Sequence, residues 1–351
     1  MNIFYGTSKS GNISEAIKGL RNPVLIMLFS TKEKLEADAA FLEDAFPGVP
    51  SIGCVAMGYR KNVTENGVTV AAFIDGISVK TGVLRKVSAA PAMDIVKMQE
   101  NISALRPGKD NTIIIDFCSG NDACVLSTIE PLLKRFSLEL MGGTGDAGKV
   151  SCNGKVYEDG CAYAVIKSMS GRIKAFKEDI YAPMPGIRLI ASKTDRSRYY
   201  VGQFNGKSAK KAYMDILDIP ESKVTSQTFK NPFGKIVGDS INTISIKEIQ
   251  GEGLITFRQI NDSDILTIQQ LQDIDEVIGR TISNITKDFR HISAVFSVNC
   301  LFRYLLFNDE KYWDRYLDKM SALGTHFGFV GYGEHYNNRF VNQTMSCMVF
   351  E

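Results

Sequence analysis

The chain has 351 residues, 44% of them hydrophobic and 23% charged, which is the composition of an ordinary globular protein with one large domain or two. Its 41 basic and 39 acidic residues leave a formal net charge of +2, so no basic surface for nucleic acid or an anionic membrane is expected. Seven cysteines without C-x-x-C spacing predict neither a disulfide framework nor a zinc site. This use of cysteine favours a reducing, cytoplasmic location.

The N-terminal residues, MNIFYGTSKSGNISEAIKG, contain no apolar core of a signal peptide. The longest apolar run nearby covers residues 23–29 and is far shorter than the roughly 20 residues that span a bilayer. We therefore expect no membrane insertion.

Three segments share one order of predicted elements, and they begin at Pro23, Asn111 and His291. Each opens with a continuous apolar run of strand length, as expected for a strand covered on both faces, and continues with helical spacing of apolar residues. Each then carries two glycines five positions apart, followed by a turn and a final strand. The pairs are Gly53 and Gly58, Gly143 and Gly148, and Gly328 and Gly333. We interpret the unit as β-α-β-β, with the glycine pair directly after the second strand.

The stretch Gly142–Val150, GGTGDAGKV, differs by one residue from a nucleotide-binding P-loop, G-x-x-x-x-G-K-[ST]. A P-loop requires a helix after the glycines, so that the helix N-terminus faces the phosphates. The residues after Lys149 instead show turns at Asn153-Gly154 and Asp159-Gly160 and strand-like alternation. We therefore interpret the glycines as the middle copy of the repeat and Lys149 as a surface residue.

Residues 199–289 follow a different pattern. A strand, a turn at Asn205-Gly206 and a helix starting near Ser208 precede several antiparallel strands and a helix over residues 272–289. Two prolines and a charge cluster in residues 182–198 predict a boundary. The predicted domains are an N-terminal extension at 1–21 and domains at 22–190 and 191–351. The predicted fold class is mixed α/β (α+β), with layered mixed sheets built from repeated β-α-β-β units in two domains.

The C-terminal third contains three notable blocks, SVNCLFRYLLF (Ser297–Phe307), GFVGYGEHY (Gly328–Tyr336) and NQTM (Asn342–Met345). Together they resemble the C-terminal FIST domain. They match the family's cysteine and arginine three residues apart, its aromatic-glycine-glutamate block and its Asn-x-Thr strand. The segments PVLIMLFS, PGVPSIGCVAMGY, GVTVAAF and GGTGDAG are similar to the partner N-terminal FIST domain. Relatives usually have a Ser/Thr-rich stretch ending in Gly-Glu where this chain has CVAMGY (Cys54–Tyr59).

The resemblance covers residues 22–350 and implies a stand-alone bacterial sensory module of signal transduction that binds a small molecule, such as an amino acid. Members of the family occur beside kinase, cyclase or chemotaxis output domains, and this chain leaves no room for one. The signal is therefore expected to pass to a separate partner, such as a histidine kinase, a cyclase or a chemotaxis-type protein. Some stand-alone members are described as haem proteins that sense nitric oxide, which makes a haem sensor the alternative. No other cofactor is expected.

Several candidate ligand-binding residues lie in the matched blocks. Cys300 and Arg303 follow an apolar strand, and the carboxyl ends of strands face the binding crevice in open α/β sheets. The guanidinium of Arg303 suits a carboxylate, whereas Glu334, next to Gly333, suits an amino group. The two side chains would then hold both ends of an amino acid. The alternative is an ion pair between them.

Four further residues complete the predicted site. Asn342 and Thr344 are two apart, so we expect them on the same side of a strand and in the same pocket. Asp116 lies near the end of the matching strand in the second repeat, and Asp146 lies in its glycine loop. The alternative for Asp146 is that it only shapes a tight turn.

His335 is the candidate axial ligand if haem is bound, and His291 and His326 are interpreted as structural. A third hypothesis is a cysteine-dependent enzyme with Cys300 as the nucleophile and His335 as its base. The resemblance favours a non-catalytic ligand-binding protein over this enzyme.

Overall fold

The structure is a computed structural model that describes residues 1–351. The chain packs into two compact units. The first, the three-module unit, comprises Met1–Glu178 and Ile278–Glu351, and the second, the insert unit, comprises Asp179–Val277. These are units of packing, and the family-domain boundary near residue 190 stays a prediction.

The elements up to residue 104 are β1 (Ile3–Ser8), α1 (Ile13–Ala16), β2 (Leu25–Ser30), α2 (Leu35–Ala45), β3 (Ser51–Val55), β4 (Met57–Tyr59), β5 (Val63–Thr64), β6 (Val68–Phe73), β7 (Ile77–Arg85) and α3 (Ile95–Ala104). The elements from residue 112 to residue 179 are β8 (Thr112–Cys118), α4 (Asp122–Phe136), β9 (Glu139–Thr144), β10 (Asp146–Cys152), β11 (Lys155–Tyr157), β12 (Gly160–Ser168) and β13 (Ile173–Asp179).

The insert unit contains β14 (Tyr181–Pro183), β15 (Leu189–Asp195), β16 (Tyr200–Phe204), β17 (Lys207–Ser208), α5 (Ala209–Leu217), a short 3-10 helix (Glu221–Lys223), α6 (Val224–Gln227), β18 (Phe233–Val237), β19 (Ser240–Ile244), β20 (Ile246–Gln250), β21 (Gly253–Thr256) and β22 (Ile265–Leu271). The remaining elements are α7 (Ile274–Asp288), β23 (Ala294–Cys300), α8 (Leu301–Asp309), α9 (Trp313–Ser321), β24 (Thr325–Gly331), β25 (Glu334–Tyr336), β26 (Arg339–Val341) and β27 (Thr344–Phe350). The longest helices, α4 and α7, have 15 residues, and none of the helices has the length and apolar character needed to cross a bilayer.

The three predicted repeats are present as three modules with the same order of elements. Module 1 contains β2, α2, β3, β4 and β6; module 2 contains β8, α4, β9, β10 and β12; module 3 contains β23, α8, α9, β24, β25 and β27. In each module the first two strands are parallel, and the last strand pairs antiparallel with the first. The predicted β-α-β-β order lacked two short strands in each module, namely the strand after the glycines, which leaves its own module, and its hairpin partner β5, β11 or β26.

That third strand of each module pairs with a strand of a neighbouring module, and we call it the donated strand. β4 lies antiparallel to β24 of module 3, β10 to β3 of module 1, and β25 to β9 of module 2. The exchange is cyclic and produces three six-stranded sheets with equivalent strand orders. Sheet 1 is β1-β6-β2-β3-β10-β11, sheet 2 is β7-β12-β8-β9-β25-β26, and sheet 3 is β13-β27-β23-β24-β4-β5. Parallel and antiparallel pairs occur in every sheet, so the mixed α/β class is confirmed.

The inner faces of the three sheets enclose one apolar core. Phe29 of sheet 1, Phe117 of sheet 2 and Phe296 and Phe329 of sheet 3 meet there, with ring centroids 5.0 to 6.4 Å apart. The outer faces pack under helices, with α1 and α2 on sheet 1, α3 and α4 on sheet 2, and α8 and α9 on sheet 3. Because both faces are covered, β2, β8 and β23 are buried along their whole length, which explains their continuous apolar runs.

The insert unit is mainly antiparallel sheet, as predicted for this part of the chain. Its strands follow the order β19-β18-β22-β15-β16-β21-β20, with β14 paired to β22 and β17 to β16. Asn205 and Gly206 form the predicted turn at positive φ, and the Ser208 hydroxyl caps α5 by accepting from the Lys211 amide. The predicted helix over residues 272–289 is α7.

Candidate functional site

Each donated strand meets its host sheet in the same way. One of its side chains lies opposite a glycine of the host strand, and the pairs are Tyr59–Gly328, Ser151–Gly53 and His335–Gly142. A Cβ at Gly142 would lie 2.0 Å from the Asp116 carbonyl oxygen, and a Cβ at Gly328 would lie 1.9 Å from the Ser297 carbonyl oxygen. Glycine is therefore required where the donated side chain crosses the host strand.

This geometry corrects the register that was predicted for the glycines. The middle repeat uses Gly142, not Gly143, and the glycines lie inside the second strand of each module rather than after it. The strand β10 follows the GGTGDAGKV glycines, and Lys149 forms an ion pair with Glu158 at 3.2 Å. The prediction that no helix follows this loop is confirmed, and a P-loop geometry is absent.

The junction between modules 3 and 2 is charged. His335 is wholly buried, with Nδ1 2.6 Å from Oδ2 of Asp116 and Nε2 2.8 Å from Oδ1 of Asp122. Burial lowers the pKa of His335, but attraction and hydrogen bonds to Asp116 and Asp122 outweigh burial and hold the pKa well above its usual range. The ring is therefore an imidazolium that donates to a carboxylate on each side. Thr144 Oγ1 also donates to Oδ1 of Asp122.

The junction between modules 1 and 3 is neutral and rich in hydroxyl groups. Tyr59 Oη lies 2.8 Å from Ser297 Oγ, which lies 2.7 Å from Nε2 of His326. Burial lowers the pKa of His326 to about 3, so this imidazole is neutral. Asn299 donates to Tyr59 Oη at 2.6 Å and to Tyr316 Oη at 2.9 Å.

Arg303 extends this neutral network with one buried ion pair. Its Nε donates to Oδ1 of Asn299 at 2.9 Å, and its guanidinium pairs with Glu178, with both side chains fully buried. The Phe307 ring lies 4.4 Å from the guanidinium carbon and packs against it. The ion pair that was the alternative role of Arg303 is thus formed with Glu178 and not with Glu334.

Glu334 lies on the inner side of sheet 2, next to His335 in sequence but on the opposite face. Its carboxylate is buried, and Oε2 accepts from the Thr344 amide at 3.2 Å and from the Thr344 hydroxyl at 2.7 Å. Burial, and to a smaller extent the charge of Glu334, raise the pKa of the Cys300 thiol, so these two groups lie close together. Ser346 lies two residues beyond Thr344 on the same face of β27, and its buried hydroxyl has no hydrogen-bond partner. We call Cys300, Glu334, Thr344 and Ser346 the inner cluster.

Asn342 and Gly333 were also predicted to line the site with Thr344 and Glu334. Asn342 is half-buried and precedes β27, and Gln343 between it and Thr344 has a φ of 55°. Asn342 and Thr344 therefore do not share a strand face, which corrects that prediction. Gly333 has no room for a side chain, because a Cβ there would lie 2.1 Å from the Phe340 ring.

The two predicted aspartates lie outside the inner cluster. Asp116 is buried on the outer side of sheet 2, where it binds His335 and lies 3.5 Å from the Cys161 sulfur. Asp146 is exposed at the start of β10, and its Oδ1 accepts from the amide of Ala147 at 2.6 Å. The structure thus brings Cys300, Glu334 and Thr344 together and places Arg303, Asp116 and Asp146 elsewhere.

The residues around His335 do not fit a haem group. Both ring nitrogens are already bound to carboxylates, and the ring is fully buried, so neither nitrogen is open to iron. The structure also contains no group of three or more His, Cys, Asp or Glu side chains arranged to hold a metal ion.

The same geometry argues against the cysteine-dependent enzyme. A nucleophilic cysteine needs a thiolate and a neutral base within hydrogen-bond reach. Cys300 is buried with a raised pKa, and the imidazole of His335 is held by Asp116 and Asp122 on the outer face of sheet 2.

Sequence reasoning missed the polar partners on the outer faces. Ser297 and Asn299 stand two apart in the apolar run of β23, a spacing that puts both on one face and signals a buried polar network. Tyr59 and His326, which bind these two residues, and Glu178, which binds Arg303, carry no local signal, because they come from other modules or strands.

Comparisons with known proteins support the resemblance of the N-terminal part of the chain to the FIST N domain. A search of curated proteins found no match. Among solved structures, a chorismatase crystal structure covers 99% of this chain and 98% of its own, at 8% identity and a TM-score of 0.39, a likeness too low to carry an argument. The family model of the FIST N domain matches residues 24–207, which is more than half of the 351 residues. The chain therefore belongs to the FIST family.

Proposed function

We propose that this protein senses a small ligand at the inner cluster. FIST domains are generally sensory domains for small ligands. The observation that carries the proposal is the carboxylate of Glu334, which is fully buried and accepts from both donors of Thr344. Burying a carboxylate costs several kcal/mol before its partners compensate. Because burial is costly, a carboxylate at this position indicates that it has a function.

We infer that the ligand carries an amine or another strong hydrogen-bond donor, and amino acids are the first candidates. When it is ionised, a carboxylate only accepts hydrogen bonds, so it selects ligands that carry donors and positive charge. Glu334 and Thr344 belong to the two sequence blocks that predict a C-terminal FIST domain, and they meet in the inner cluster. Arg303 is less suited to hold the other end of an amino acid, because its guanidinium lies beside Glu178 and Asn299 and not beside Glu334.

Burial of the site supports a sensor rather than a static binding protein. Glu334 has 0% of its surface exposed and Thr344 has 1%, so a ligand reaches them only when the surrounding chain opens. A ligand that binds the opened conformation shifts the population towards it. We propose that a separate cytoplasmic partner, such as a histidine kinase, a cyclase or a chemotaxis-type protein, detects this shift.

The test is isothermal titration calorimetry of the purified chain with the standard amino acids and with simple amines. Glu334→Gln keeps the shape of the side chain and removes its charge, and loss of a charged hydrogen bond is worth about 1.5–3 kcal/mol, roughly a ten- to hundredfold increase in Kd. Asp146→Asn neutralises an exposed carboxylate and is the matched control, with no change expected. No binding by the wild type, or equal losses in both variants, would reject the proposed site.

A further inference from the structure

We propose that His335 positions Glu334, so that the buried triad of Asp116, His335 and Asp122 sets the geometry of the inner cluster from the opposite face of sheet 2. His335 is thus a positioning residue and does not itself touch a ligand. The proposal rests on the proposed function only in taking Glu334 as the ligand-binding group. The positioning can be measured without any ligand.

The first argument is what lies opposite Glu334 and His335 on the host strand. β25 has only three residues and pairs with β26 on one edge and with β9 on the other. On β9, Gly143 lies opposite Glu334 and Gly142 opposite His335, so the host strand offers no side chain to hold these two residues in place. Because Glu334 and His335 are consecutive, a fixed imidazole ring fixes the backbone from which the Glu334 carboxylate projects to the other face.

The second argument is a continuous hydrogen-bonded connection. Thr144 donates from Oγ1 to the Asp122 carboxylate that also binds His335. The Thr144 amide donates to the Gly333 carbonyl, and the Tyr332 amide donates to the Thr144 carbonyl, both at 2.9 Å. The residue directly before Glu334 is thus tied to the same carboxylate that holds the ring directly after it.

The third argument comes from comparing the three junctions. The residues that occupy the same place as His335 are Tyr59 and Ser151, and both are neutral. The residues before them, Gly58 and Val150, are a buried glycine and a core valine, with no polar side chain to position. A charged triad occurs only at the junction where the preceding residue is a buried carboxylate.

The elements packed on His335 bring two carboxylates and no second cation to the ring. β8 contributes Asp116, whose Oδ2 also lies 3.5 Å from Cys161 of β12, and α4 contributes Asp122. β9 contributes Gly142, and β26 contributes the Phe340 ring, with a centroid distance of 5.7 Å. Burial raises the pKa of Asp122, but the bonds from His335 and Thr144 outweigh it and lower the pKa below its usual value.

The experiment uses Cys300 as a reporter of where Glu334 lies. Alkylation of the folded protein by iodoacetamide is followed at each cysteine by mass spectrometry, over a range of pH. In His335→Gln we expect Cys300 to react about tenfold faster or more, because local opening becomes easier. We also expect its pH dependence to move to lower pH, because the charge of Glu334 no longer stays beside the thiol. Cys347 on β27 is fully buried, and it serves as the internal reference for global unfolding.

The matched variant is Tyr59→Phe, which removes a polar contact at the equivalent place of another junction. We expect it to leave the ratio of Cys300 to Cys347 alkylation unchanged. Equal ratios in His335→Gln, Tyr59→Phe and wild type would overturn the proposal. If His335→Gln does not fold, Asp122→Asn takes its place, because it removes one carboxylate partner of His335 at a less buried position. The same increase in the ratio of Cys300 to Cys347 alkylation is then expected. A selective change at Cys300 without any amino acid binding would support the positioning while rejecting the proposed ligand.

Discussion

Two buried histidines have opposite charge because their immediate partners differ. His326 faces a hydroxyl, so burial alone decides and the imidazole stays neutral. His335 faces two carboxylates, whose attraction exceeds the cost of burial and keeps it protonated. The same residue type in the same kind of location thus serves a neutral network at one junction and an ionic one at another.

His326 gives the protein an acid-sensitive stability. Its pKa is about 3 in the folded state, against about 6.5 when unfolded, so the unfolded chain binds the proton first. The free energy of unfolding should therefore fall as the pH drops from about 6.5 towards 3, by at most about 1.4 kcal/mol per pH unit. Urea unfolding of wild type and His326→Gln at several pH values measures this. The variant should lose less stability over that range, and parallel curves would contradict the prediction.

His335 and Asp122 also make the stability of the protein depend on pH, in opposite directions, because the pKa of His335 is raised and the pKa of Asp122 is lowered in the folded state. The raised pKa of His335 contributes stability that is complete below its unfolded pKa and disappears as the pH rises through the folded value. The lowered pKa of Asp122 contributes stability that is complete above its unfolded pKa and disappears as the pH falls through the folded value. The charged triad is therefore intact between these two limits.

Donated strands depend on the glycines that they cross. At Gly328 and Gly142 the nearest atom to an added Cβ is a backbone oxygen, which cannot rotate away as a side chain can. Only a shift of the host strand or of the donated strand would make room. The pairing of modules is therefore encoded by host glycines as much as by the donated strands themselves.

Gly328→Ala and Gly142→Ala should each destabilise the fold by about 1–3 kcal/mol, the usual cost of overpacking. Gly279 in α7 has no atom within 4 Å of an added Cβ, so Gly279→Ala is the matched control. We expect the control to stabilise the protein by about 0.5–1 kcal/mol, as alanine does within a helix. Chemical denaturation gives all three values, and a harmless Gly328→Ala would show that the strands adapt more easily than their geometry indicates.

The cyclic exchange makes the three modules interdependent across the whole three-module unit. Each sheet lacks a strand without its neighbour, and all three inner faces share the core around Phe29, Phe117 and Phe296. Burying each of these rings stabilises the fold by about 1.5–3 kcal/mol, and every ring depends on two other sheets for that burial. No module is therefore expected to fold alone. The insert unit, by contrast, has its own core, with Phe204, Tyr213 and Phe233 among its members.

Native-state hydrogen exchange should show this cooperativity directly. Amides in β2, β8 and β23 should exchange with one common free energy of opening, because none of the three sheets opens without the others. Amides of β18 and β22 in the insert unit are the comparison and are expected to report a separate value. A much lower opening free energy for one of the three modules would show that it unfolds independently.

Much of the architecture was predictable because it depends on local periodicity. Continuous apolar runs at Pro23, Asn111 and His291 predicted three buried strands, and the helical spacing after them predicted the helices. The turn at Asn205-Gly206 and the helix cap at Ser208 are equally local. Part of the site followed from sequence too, since Cys300, Glu334 and Thr344 lie in the blocks that resemble the family.

Only the tertiary structure decided which strands pair and which charges meet. A strand of three residues such as β4 or β25 has the same pattern whether it stays in its module or joins another, so sequence periodicity could not reveal the exchange. His335 and Asp122 are 213 positions apart, and Arg303 and Glu178 are 125 apart. The sequence by itself determined three repeated units and the residue types available at their strand ends. The cyclic exchange of strands determined that His335 lies between two aspartates, and the position of β13 beside β27 determined that Arg303 meets Glu178. Both contacts exist only after strands from distant parts of the chain have paired.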